Sequence, residues 1–284
     1  MIRLNRFRLL VVVVLNLLFI GCDNATVKKE AEVEIIPPEG WTLVWNDEFS
    51  GTSINTEKWS HEVNANGGGN NELQYYTARR ANSRVEEGIL IIEALSERFT
   101  DSQGTRNYTS ARMITRGKGD WLYGRMEVNA KLPTGRGLWP AIWMMPTDSE
   151  YGSWAASGEI DIMEIIGHQP DKIHGTLHYG GVSPSNQLSG TSHSLPTGSA
   201  HRSFHTYAVE WEPNEIRWYI DDFQFASQTS WSTSGQPYPA PFDKRFYMIL
   251  NVAVGGNWPG SPDASTVFPQ RMEVDYVRVY KKNP

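Results

Sequence analysis

Three carboxylates crowd into ten residues, Gly158-Glu159-Ile160-Asp161-Ile162-Met163-Glu164-Ile165-Ile166-Gly167. The run is rich in β-branched residues and bounded by glycines, the pattern of a strand. On a regular strand Glu159, Asp161 and Met163 share one face and Glu164 points the other way. Bringing all three acids to one face needs an extra residue between Asp161 and Glu164, a β-bulge at Ile162–Met163. Bulges re-aim side chains and are common beside active sites. The α-carbons of Glu159 and Glu164 would then stand roughly 13 Å apart. Inward-leaning side chains could bring the carboxyls to about 5 Å, the separation found in retaining glycosidases. One carboxylate would attack an anomeric carbon and the other would move the proton. Asp161 between them could share a hydrogen bond with the nucleophile and raise the pKa of the proton donor.

Other readings of the segment stay open on the residues alone. A helix scatters the three acids around its circumference, and four isoleucines disfavour it. Three carboxylates would suit Ca²⁺ or Mn²⁺, but the DxDxDG type of loop is missing. A plain half-buried strand would leave Glu164 on the solvated face and make the spacing accidental.

Glu159-Ile-Asp161-Ile-Met163-Glu164 resembles the active-site signature of glycoside hydrolase family 16. The extra residue before the last Glu matches its laminarinase and agarase branches. The resemblance implies that Glu159 is the nucleophile, Asp161 the helper and Glu164 the acid/base. It also implies a β-jelly roll, a sandwich of two curved antiparallel sheets with the substrate cleft across the concave one.

The elements that must carry such a site are legible independently. Strand-like runs occur at Ile89–Ala94, Gly124–Ala130, Ala141–Met145, Lys172–His178, Thr206–Trp211, Ile216–Ile220, Arg245–Val252 and Met272–Tyr280. Many short strands separated by turn residues, with no long amphipathic helix, indicate an all-β sandwich or jelly roll. From Trp41 onward the composition is even and shows no clear internal repeat, which is compatible with one catalytic domain over residues 41–284.

The first forty residues read differently. Arg3, Arg6 and Arg8 precede an apolar stretch from Leu9 to Ile20, the size of a signal-peptide core and short for a membrane span. Leu18-Phe19-Ile20-Gly21-Cys22 resembles a bacterial lipobox, which implies a signal peptide over 1–21 and lipidation of Cys22. Residues 22–40, ending in Pro37-Pro38-Glu39-Gly40, read as a disordered tether. Cys22 is the single cysteine, so no disulfide can form within the chain. Loss of three arginines with the signal takes the formal charge from −6 to −9. That acidity disfavours nucleic acid or a sulfated polysaccharide as partner. The expected product is an exported, lipid-anchored monomer.

Further segments take their meaning from the resemblance. Trp139 and Trp143, four apart on one strand, fall on one face and offer planes for sugar rings; core packing is the alternative. Val254-Gly255-Gly256-Asn257-Trp258-Pro259-Gly260 is similar to a loop of family endo-1,3-glucanases, which places Trp258 beyond the scissile bond and favours β-1,3-glucan over agarose. Asn70, after Gly67-Gly68-Gly69, and Arg112, in Ser110-Ala111-Arg112, resemble contacts to sugars on the non-reducing side. Seven histidines include two pairs spaced i, i+4, but neither forms HExxH. The resemblance implies that His178 faces the cleft near the acid/base. It also implies a structural Ca²⁺ on the convex side, held by Glu48, the Gly88 carbonyl and Asp275, all hard oxygen donors; no catalytic cofactor is expected. The rival readings are a mixed-linkage β-glucanase, agarase or carrageenase of the family, a non-catalytic β-glucan-binding lipoprotein, and a structural surface lipoprotein.

Overall fold

Alternation of side chains along each strand sets which residues reach the core and which are left for a cleft. In Leu138–Pro146 the even-numbered Leu138, Ile142 and Met144 enter the apolar core, while Trp139, Ala141, Trp143 and Met145 line the opposite face. Phe246–Val254 repeats the pattern, with Met248, Leu250, Val252 and Val254 inward and Asn251 and Ala253 outward. The computed structural model describes residues 34–284, and residues 37–284 form one compact unit.

Two sheets stack to form that unit. The site-bearing sheet runs in the spatial order Asn186–Ser194, Lys172–Gly180, Glu159–Glu164, Leu138–Pro146, Phe246–Val254, Arg112–Ile114, Ser60–His61. The opposing sheet runs Phe223–Gln228, Glu215–Ile220, His205–Glu212, Gly124–Lys131, Gln270–Lys282, Ile89–Asp101, Gly104–Ser110, Gln74–Tyr76. Neighbouring strands pair antiparallel except Gln74–Tyr76 with Gly104–Ser110. Between the sheets, Ile160, Ile162, Met163 and Leu177 on one side join Val128, Val209, Trp211 and Trp218 on the other in a single buried cluster. Burying each such side chain contributes about 1.5–3 kcal/mol. Among the described residues no helix is long and apolar enough to cross a membrane.

All eight strand runs expected from sequence are strands. Asn186–Ser194 and Phe223–Gln228 were not legible as strands. Each lies at an outer edge of its sheet, and the first is almost wholly polar. Polar edges protect a sheet from pairing with other chains, and they erase the hydrophobic alternation that betrays a strand.

Candidate active site

The catalytic strand carries the expected irregularity. Against Lys172–Gly180, Asp161 pairs with Thr176 and Glu164 with His174, so three steps on one strand match two on its neighbour. Against Leu138–Pro146, Met163 and Asp161 pair with the consecutive Ile142 and Trp143. Ile162 is the inserted residue. Ile162 and Met163 both enter the core, an apolar burial that holds the bulge in place, and Glu164 thereby returns to the face of Glu159 and Asp161. The Asp161 carbonyl, beside this break in the ladder, accepts the indole N–H of Trp218 from the opposing sheet at 2.8 Å. Trp218 is fully buried, and it fits there because position 175 is glycine: a Cβ on Gly175 would lie 2.5 Å from the indole ring.

Glu159, Asp161 and Glu164 line one cleft of about 440 Å³, together with Asn70, Arg112, Trp139 and Trp143. Each outer acid is gripped by a tryptophan. The Trp154 N–H donates to Glu159 Oε2 at 2.9 Å, and the Trp139 N–H donates to Glu164 Oε1 at 2.9 Å. Asp161 is within hydrogen-bonding reach of both glutamates. Burial raises the pKa of all three acids; the charge of Asp161 pushes Glu159 further up, and that of Glu164 pushes Asp161 further up. The two indole donors oppose the shift on the glutamates by stabilising their charged forms. Three crowded carboxyls ionise less readily together than an exposed set, so the cluster holds protons to higher pH. That is the condition for acid catalysis near neutral pH.

Beside the acids, the aromatic platform has its own polar support. The Trp143 N–H donates to Asn251 Oδ1 at 2.8 Å, Asn251 Nδ2 donates to the Tyr76 hydroxyl, and that hydroxyl reaches buried Glu72. The Arg112 guanidinium lies 4.6 Å from the Trp143 ring centre and pairs with Glu62 at 2.9 Å. The loops carrying Asn70 and Trp258 are bonded to each other, Asn257 N–H to the Asn70 carbonyl at 2.8 Å and Asn71 Nδ2 to Asn257 Oδ1 at 2.9 Å. Gly68 has φ +59°, and a Cβ there would sit 2.2 Å from the Glu72 carboxylate, so any other residue would strain the turn and displace Glu72. Trp258, 40 % exposed, packs edge-on against Trp139 at 5.5 Å and against His174 at 5.0 Å, next to the acid cleft rather than in it. Sequence reasoning gave no role to Trp154, Asn251, Tyr76, Glu72 or to His174, the partner of His178 in an i, i+4 pair; strand register and the hydrogen bonds of the cleft reveal them.

The expectation for His178 is refined and that for calcium corrected. His178 is close enough to favour the charged form of Glu164, but it pairs across from Glu159, its Nε2 lying 3.6 Å from Glu159 Oε1 and 3.2 Å from Asp161 Oδ2. The register places His174 opposite Glu164 instead. In the calcium set, both carboxylate oxygens of Glu48 are taken by Arg278, at 2.9 and 2.7 Å. Asp275 is raised by partial burial and then by the charge of Glu48. With Glu48 already neutralised, its side chain, Asp275 and the Gly88 carbonyl do not fit the six to eight oxygen ligands that Ca²⁺ takes. Cys22 and the signal segment lie outside the described residues.

Comparisons with known proteins agree with this geometry. The sequence profile of "Glycosyl hydrolases family 16" matches residues 79–278. The chain is 47% identical over 251 residues to a protein named Beta-glucanase from Rhodothermus marinus, covering 85% of each. It is 41% identical over 254 residues to a Glucan endo-1,3-beta-glucosidase from Cryptopygus antarcticus, covering 86% of this chain and 93% of the relative. The solved laminarinase from Rhodothermus marinus superposes with a TM-score of 0.77 at 45% identity, over 86% of this chain and 98% of that one. The two-sheet sandwich is therefore the family's jelly roll. With its bulged triple-acid strand set in that fold, the chain belongs to glycosyl hydrolase family 16.

Proposed function

We propose that the protein is an endo-acting β-1,3-glucan hydrolase of the laminarin-cleaving type that works with retention. The observation that carries this reading is the placement of Glu159 and Glu164 on either side of Asp161 in one cleft, each held by a separate indole donor. Glu159 as carboxylate attacks the anomeric carbon while the glycosidic C–O bond breaks and Glu164 gives its proton to the leaving oxygen. Water then attacks the same carbon, Glu164 takes a proton from it, and the ester bond to Glu159 breaks. Asp161 hydrogen-bonds the nucleophile and its charge keeps a proton on the cluster. Trp139, Trp143, Arg112 and Asn70 bind the sugars through stacking and hydrogen bonds, with Trp258 extending the surface past Trp139. Support for the linkage comes from relatives named for β-glucan and endo-1,3-β-glucan hydrolysis.

Separate incubation with laminarin, lichenan, agarose and carrageenan tests this. Reducing ends released quickly from laminarin, as oligosaccharides of several lengths, are expected. Exclusive cleavage of a galactan would overturn it, and binding without cleavage would favour a glucan-binding protein. The proposal further holds that the chain acts as a monomer, exported and tied to the cell envelope through lipid on Cys22. Palmitate labelling that disappears in Cys22→Ala checks the anchor.

A further inference from the structure

Glu159, Asp161 and His178 converge on a point as well as on a substrate. One oxygen from each acid and one nitrogen of the imidazole all lie within 4.8 Å of one another. His178 Nε2 is 3.2 Å from Asp161 Oδ2 and 3.6 Å from Glu159 Oε1. In a tetrahedral site with metal–ligand bonds of about 2.0–2.2 Å, neighbouring ligand atoms stand about 3.3–3.6 Å apart. The separations of 3.2 and 3.6 Å lie close to that edge length, and the third pair is within 4.8 Å.

The bonding pattern leaves these atoms available. Asp161 has a side chain only 2 % exposed, and among the described residues its buried Oδ2 receives no hydrogen bond from any donor although it lies 3.2 Å from the imidazole. The Trp154 indole occupies Oε2 of Glu159 and leaves Oε1 turned toward His178. His178 Nδ1 is likewise buried without a partner, and the Trp154 ring covers the imidazole at 5.5 Å. His174, the other histidine of the pair, is turned toward Trp258 and takes no part.

We infer that Glu159, Asp161 and His178 form a site for one borderline divalent transition ion of the Zn²⁺ class, whose fourth position opens to the cleft. One nitrogen and two carboxylate oxygens suit such an ion better than Ca²⁺ or Mg²⁺, which prefer all-oxygen shells. Two buried acids beside one imidazole make a pocket short of positive charge, and a dication supplies it. An ion there ties up Glu159 Oε1, so metal and glucan exclude each other; this last consequence rests on the proposed function, while the binding itself does not.

The test uses the full chain stripped with chelator and then dialysed to equilibrium against Zn²⁺. Wild type is expected to hold one more equivalent than His178→Ala or Asp161→Asn, and His193→Ala, whose imidazole lies between Phe223 and Phe225, is expected to keep it. Near-ultraviolet circular dichroism confirms that each variant is folded. Co²⁺ in place of Zn²⁺ should give the intense visible band of four-coordinate cobalt, absent in His178→Ala and lost when a β-1,3-glucan oligosaccharide is added. In assays on laminarin, Zn²⁺ should raise KM with little change in kcat, and His178→Gln, which removes a direct ligand, should raise the half-inhibiting concentration by at least the roughly 10-fold that loss of an outer-shell partner costs. Equal stoichiometry in wild type and His178→Ala, or no cobalt band, overturns the site. If the band and stoichiometry appear but laminarin is not cleaved, the metal site stands and the substrate reading fails.

Discussion

The protein holds two clusters of three acids on opposite sheets, and they behave in opposite ways. On the opposing sheet Glu210, Glu212 and Glu215 surround Arg217, with Arg125 also bonded to Glu210 at 3.0 Å and Lys282 to Glu212 at 2.5 Å. Burial pushes Glu212 up, but hydrogen bonds from Lys282 and Arg217 outweigh it and hold the carboxyl below its ordinary value. Glu215 is lowered as well, first by the Ser227 hydroxyl and then by Arg217. In the cleft the donors to Glu159 and Glu164 are neutral indoles, and the imidazole of His178 faces two acids at once. There burial wins and all three pKa values rise. Acids matched by guanidinium and ammonium groups are structure. Acids matched only by dipoles retain protons they can give away.

The sharpest way to break this contrast is to delete the acids. Glu159→Ala is expected to abolish turnover on laminarin, and Glu164→Ala to lower kcat by about 10²–10⁴-fold. Neither should lower the thermal midpoint, since each removes a charge the fold does not neutralise. Near-wild-type turnover in either variant would reassign the cleft.

Changing the indole donors has a smaller effect with a defined sign. Trp154→Phe removes a hydrogen bond to the charged form of Glu159, so the pKa of that group rises. Ionised nucleophile then appears only at higher pH, and the acid limb of the kcat/KM profile moves up. Trp139→Phe raises Glu164 in the same way, but Glu164 must start protonated, so the alkaline limb moves up instead. One variant narrows the profile and the other widens it. A hydrogen bond to a carboxylate of about 1.5 kcal/mol corresponds to a displacement of about one pH unit. Profiles that drop in height without moving would mean that the indoles act only as packing.

Much of this contrast could be read from the chain, and the part that could not has a physical cause. The spacing of Glu159, Asp161 and Glu164 demanded a bulge, and the insertion at Ile162 supplies it. The alternation around Trp139 and Trp143 put both on the cleft face. His178 lies nearest Glu159 and Asp161 because the regular register before the bulge pairs it with Glu159, while the insertion beyond Asp161 brings Glu164 opposite His174. The Trp218 bond to the Asp161 carbonyl crosses from one sheet to the other over 57 positions of sequence. Local pattern carries no trace of such a contact. Glu48 was offered to calcium since the sequence cannot show Arg278 coming from the far end of the chain.

Arg217→Ala attacks the other cluster and should leave catalysis alone. It strips three partly buried carboxylates of their shared partner, a loss of about 2–4 kcal/mol. The midpoint should fall by about 2–4 °C for each kcal/mol, with kcat on laminarin unchanged. Glu212 and Glu215 are depressed in the folded state, so their contribution is present above the unfolded pKa near 4.5 and fades as pH drops through the folded value. The difference between variant and wild type should therefore shrink in acid.

Asp161→Asn should do the reverse. The folded pKa of Asp161 lies well above its ordinary 3.8, because burial and then Glu164 disfavour its charge. The folded protein thus binds more protons than the unfolded chain as pH climbs past 3.8, and wild type loses stability over that range. Asparagine cannot ionise and escapes the loss. The variant should melt a few degrees higher than wild type at neutral pH while turning over more slowly, and the gap should close below about pH 3.8. A lower midpoint for Asp161→Asn at neutral pH would mean that His178 already compensates the charge, making the cleft acids a second structural cluster like the one around Arg217.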